Sequence, residues 1–98
     1  MDVAWPAASE VSRYLAVGAL ESANGLIRHV GSEASPIETA HAIASCRDLG
    51  LVDAADTIIA YAGGRARREV LQILQSLNQQ GRRADADTLL TRALSTPR

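Results

Sequence analysis

The side chains of this 98-residue chain that could carry chemistry are few. His41 and Cys46 are the one nucleophile-and-base pair, and a thiol needs a base within hydrogen-bonding reach to act as a nucleophile. At i and i+5 on what reads as a single helix, the two point to different faces. Neither a CxxC nor an HxxxH spacing is present to hold a metal. The expectation is a protein that is not an enzyme and has neither metal nor cofactor. Arg65, Arg67 and Arg68, with Arg82 and Arg83 across one helical hairpin, are candidates for binding phosphate or an acidic partner. The competing reading is a solvated loop whose arginines pair with Asp53, Glu69 or Asp85. Asn24, Asp56 and Asp87 could line a groove and bind cations. Because each falls once per repeat, on a different hairpin, favourable electrostatics at helix starts is the stronger reading.

The elements that position these residues are written three times. Gly50 to Ile59 reads GLVDAADTII, Gly18 to Ile27 reads GALESANGLI, and Gly81 to Leu90 reads GRRADADTLL. The leading glycines recur with a period of roughly 32 residues, and a fixed period of this size marks a repeat architecture. Apolar residues at helical spacing predict a helix A1 from about Pro6 to Val17 and a helix B1 through Leu20, Ala23, Leu26, Ile27 and Val30 that stops at Gly31. Ser35, Pro36 and Glu38 form a capping-box signal that opens A2, which ends at Leu49-Gly50. B2 repeats B1 with Val52, Ala55, Ile58, Ile59 and Ala62, and Gly63 matches Gly31. A3 carries Val70, Ile73, Leu74 and Leu77, and B3 carries Ala86, Leu89, Leu90, Ala93 and Leu94. Ala23, Ala55 and Ala86 share one place, where a methyl group allows two helices to approach closely. Cys46 occupies a core position that matches Tyr14 and Leu77, and His29 reads as a surface residue.

Composition agrees with an all-α chain: 47% of the residues are apolar, and there is one Trp, two Tyr and no Phe. All ten basic side chains are arginine, and a net charge of −1 gives no general pull toward nucleic acid or an acidic membrane. With one cysteine, no membrane-length apolar run and no signal-peptide pattern, a cytoplasmic protein is expected. The expected fold is a short right-handed α-solenoid of three antiparallel hairpins, one domain over 1–98, with repeats at about 5–31, 36–63 and 67–94.

The hairpins resemble the pentatricopeptide repeat, whose turn is a glycine followed by an acidic residue, an alanine and an apolar pair. Gly50, Asp53, Ala55, Ile58 and Ile59 fit this pattern, as do Gly18, Glu21, Ala23, Leu26 and Ile27. The third unit keeps Gly81, Ala86, Leu89 and Leu90 but has Ala84 in the acidic slot. The short period and the polar slot at Asn24, Asp56 and Asp87 look like a distinct, bacterial-looking variety. The resemblance implies a groove lined by A helices, with Ser9, His41 and Gln72 at the inward positions, and in some members single-stranded RNA binding. Pro36 and Arg67 at the second reading position depart from the Asn or Asp that such reading uses. A protein-binding adapter that takes a peptide or helix near Ser9, His41, Gln72, Arg65, Arg67 and Arg68 is therefore the first expectation, and an RNA-binding module the second. At the ends, Trp5 is expected to fold over A1 as a lid. B3 has Leu94 where the other units have glycine and runs into a helix-start signal at Thr96-Pro97, so a second copy or further repeats of a longer parent are expected to cover it.

Overall fold

The structure, a computed structural model, describes residues 5–95. Thr96-Pro97 lies outside the described residues. Among these residues there are six helices and no strand: α1 (Ala8–Ala16), α2 (Leu20–Ser32), α3 (Pro36–Asp48), α4 (Val52–Gly63), α5 (Arg67–Gln79) and α6 (Arg83–Ser95). They form three hairpins, α1–α2, α3–α4 and α5–α6. The hairpins stack so that α2, α4 and α6 pack in one row while α3 and α5 pack beside each other.

The three turn glycines are required by backbone conformation. Gly18, Gly50 and Gly81 have φ of +76°, +75° and +75°, a region that side chains disfavour, and a Cβ on any of them would meet nothing within 4 Å. Each turn closes with the same bond, in which the N–H of Ala19, Leu51 or Arg82 donates to the carbonyl of Tyr14, Cys46 or Leu77 at 2.8 Å. This is the Schellman termination written three times. At the other end of α3, the Ser35 hydroxyl accepts from the Glu38 N–H at 3.2 Å, with Pro36 at the first helical position.

Between the hairpins lies an aliphatic core whose largest fully buried members include Ile43, Ile58, Ile59, Ile73, Leu77 and Leu89. Ala23, Ala55 and Ala86 are buried in it, as the threefold pattern requires.

Gly31 and Gly63 stand at the ends of their helices but not as left-handed terminators. α2 runs one residue past Gly31 to Ser32, α4 ends at Gly63, and neither glycine has positive φ. Their purpose is close approach. A Cβ on Gly31 would lie 2.7 Å from the Tyr61 Cβ and 3.1 Å from the Ile58 carbonyl, and one on Gly63 would lie 2.9 Å from the Arg92 Cβ. The two glycines hold the same place in their repeats, and the residues they face, Tyr61 and Arg92, hold the same place in the repeats that follow. The same backbone-on-helix contact is therefore made at both repeat junctions.

The first repeat breaks the regularity. α1 is shorter than expected, beginning at Ala8, and packs only sparsely on α3. The Trp5 N–H donates to the Ser45 hydroxyl at 2.8 Å, and Trp5 and Ala8 line a hollow with Asp48 and Leu49. The start of α1 thus meets the last turns of α3, so α1 crosses α3 instead of lying parallel to it. Trp5 is buried at this seam between the first and second repeats, and is not a lid over the outer face of α1.

Candidate functional site

The two residues that most suggested catalysis are held apart in function. Cys46 is fully buried, and desolvation pushes its thiol up to about 11 even though nearby Arg47 pulls the other way. His41 is half-buried one and a half turns earlier on α3. Among the described residues no group of three or more His, Cys, Asp or Glu could hold a metal ion. His29 is exposed.

The arginines divide into structural and available ones. Arg65, expected in an exposed basic patch, is buried: its guanidinium donates to the Gly31 carbonyl at 3.1 Å, the Ala34 carbonyl at 2.6 Å and the Thr39 hydroxyl at 2.9 Å, and its Nε pairs with Glu69 at 2.7 Å. Its reach back across the first inter-hairpin loop satisfies carbonyls that the end of α2 leaves over. It ties the hairpins together and leaves no donor face for a partner. Arg47 does the same at the other edge, where it bridges Asp56 at 2.6 Å within its own repeat and Asp85 at 2.9 Å in the next. Burial works against the Arg47 charge, but the hydrogen bonds and proximity of Asp56 and Asp85 outweigh it and hold the guanidinium charged. Asp56 is thus an ion-pair partner as well as a residue near a helix start, while Asn24 and Asp87 are exposed. Arg82 pairs with Asp48 across the same junction.

Arg67 and Arg68 are exposed at the start of α5, whereas Arg82 and Arg83 sit at the start of α6. In an antiparallel hairpin these are opposite ends, separated by the length of a 13-residue helix, about 20 Å at 1.5 Å per residue. The five arginines therefore make no common patch.

Arg67 and Arg68 do share a surface with Gln72. Together with Leu71 and Gln75 they line an open groove of about 660 Å³ along α5. A second groove of about 340 Å³ lies between α5 and α6, floored by Val70, Leu74 and Ala93 and rimmed by Arg67, Leu71, Leu90 and Leu94. Leu71 and Gln75 were not singled out from the sequence. The signal for Leu71 was its size, since the residues at the same place in the first two repeats are Ala8 and Ala40.

The expected row of Ser9, His41 and Gln72 is not assembled. Because α1 crosses α3, Ser9 lies in the hollow with Asp48 and Leu49 at the end of α3, whereas His41 belongs to its second turn. His41 and Gln72 are on α3 and α5, which do pack beside each other, so two of the three remain on adjoining helices. The chain matches no protein-family model, no curated protein and no solved structure.

Proposed function

We propose that the chain is a noncatalytic protein-interaction module built from pentatricopeptide-like hairpins, and that α5 is its binding face. The ligand would be an acidic amphipathic peptide or helix. The observation that carries this reading is the α5 groove, where Arg67 and Arg68 stand beside Leu71, Gln72 and Gln75. One leucine set among guanidinium and amide groups suits a peptide that offers an apolar side chain with carboxylates beside it. The reading includes a cytoplasmic setting, in which a lone thiol stays reduced. The RNA alternative has less support, because a base-per-repeat reader needs its polar residues in register on successive helices and Ser9 is out of line with His41.

The test is affinity capture from lysate with and without nuclease, comparing wild type with an Arg68→Glu/Gln72→Glu variant. Proteins that survive nuclease and are lost with the variant are the expected result. Recovery of nuclease-sensitive RNA, or identical capture by both baits, would overturn the reading.

A further inference from the structure

The outer face of the third hairpin differs from the faces it repeats. At each junction one hairpin buries a set of residues beneath the next. In the B helices these are Ile27 and Ile59, with exposures of 3% and 0%, and the buried Gly31 and Gly63. The corresponding residues of α6 are Leu90 at 44% and Leu94 at 79%, and on α5 Leu71 at 56% replaces the fully buried Ala40. Exposed leucines clustered around an apolar groove of about 340 Å³ mark a face that associates.

A fourth hairpin stacked like the others does not fit there. At Gly31 and Gly63 even a single added carbon would come within 2.7 Å and 2.9 Å of the next helix. Leu94, which holds the matching place in the third repeat, puts a whole isobutyl group at that position. The ion pairs that Arg47 and Asp48 make to the third repeat have no counterpart either, the matching residues being Asn78 and Gln79, although the first junction, with Leu15 and Ala16 at these places, also forms without them. Stacking onto the first repeat of another copy meets the same Leu94. It also meets an exposed polar surface, with Ser22 and Glu33 where later repeats bury Ala54 and Arg65.

We infer that this face joins a second copy of the chain, face to face about a twofold axis. The surface is complementary to itself in shape, having a groove and a projecting Leu94 that a twofold exchanges between copies. It is also complementary in charge. Arg67 is exposed at the end of the face beside Leu94, and Asp87 is exposed one turn before Leu90 toward the other end of α6. An axis near Leu90 brings each Arg67 toward the partner copy's acidic end. Two helices about 20 Å long and roughly 10 Å apart offer a footprint at the small end of specific interfaces, so a concentration-dependent dimer is expected. The dimer face shares Arg67 and Leu71 with the peptide groove, whereas Arg68 and Gln72 line the peptide groove alone and Leu90 and Leu94 the dimer face alone, so variants at those four residues tell the two apart.

Analytical ultracentrifugation of the full chain from about 5 to 500 μM, a span wide enough to reveal a small, concentration-dependent interface, tests it. The expected mass rises from 10.4 kDa toward twice that value and stops there. Leu94→Glu holds the protein at monomer mass with unchanged circular dichroism. Arg67→Asp weakens the dimer at least about threefold, as a lost ion pair does, and the double variant Arg67→Asp/Asp87→Arg recovers it. A monomer at all concentrations, a mass that climbs past the dimer, or a Leu94→Glu protein that dimerises like wild type would overturn the inference.

Discussion

At the scale of single residues, glycine serves two ends in this chain, left-handed turns and close helix approach, and substitution separates the second from a glycine that serves neither. Gly31→Ala forces a Cβ to within 2.7 Å of Tyr61 and 3.1 Å of a backbone carbonyl, neither of which can swing away, so a loss of about 1–3 kcal/mol in urea denaturation is expected. Gly25→Ala, in the same helix with nothing within 4 Å, should instead stabilise by roughly 0.5–1 kcal/mol through helix propensity. A shared sign for the two variants would mean that Gly31 is not a contact point. Cys46 supplies a second residue-scale test. Its thiol is raised to about 11 in the fold from an ordinary value of 9.0, so the neutral form is the one the fold favours. Its contribution to stability is full below about pH 9 and is lost as pH rises toward 11. Cys46→Ala should lack that part of the alkaline decline, and wild-type Cys46 should resist iodoacetamide at pH 8 until the protein unfolds. The left-handed turn glycines and buried Cys46 were legible in the sequence, because local pattern and period both report them. The contact role of Gly31 and Gly63 was not, because a glycine near a helix end reads as a terminator unless the neighbouring helix is known.

At the scale of elements, the inter-hairpin connections hold the stack in register. Arg65 fastens the second connection to the first through two backbone carbonyls and Thr39, all removed from bulk water. Arg65→Met leaves those acceptors buried without their charged donor and should cost at least about 2 kcal/mol. Arg67→Met, two residues on and exposed, should change stability by no more than about 0.5 kcal/mol. Equal denaturation midpoints for the two variants would contradict the clamp. From sequence, Arg65 could not be told from its neighbours in the run Arg65-Ala66-Arg67-Arg68, since all are equally polar and only the fold decides which one turns inward. The crossing of α1 was hidden for a similar reason. Its apolar spacing is that of any amphipathic helix, and the departure shows only in contacts distant in sequence such as that of Trp5 with Ser45.

For the molecule as a whole, stability accrues junction by junction, and the two ends are unlike. Ser22 and Glu33 give the first repeat a polar outer surface, whereas Leu71, Leu90 and Leu94 give the third an apolar one next to the arginine-edged groove on α5. The sequence showed that the last hairpin lacks its glycine; that Leu94 then bars an ordinary fourth hairpin follows only from the distances at Gly31 and Gly63. The central claim is that interaction is concentrated on α5–α6, and amide chemical shifts recorded across a concentration series test it most directly. The expected shifts are confined to residues around Leu71, Leu74, Leu90 and Leu94, with α2 and α4 unmoved. Spectra independent of concentration, or shifts centred on Ser22, His29 and Glu33, would contradict it.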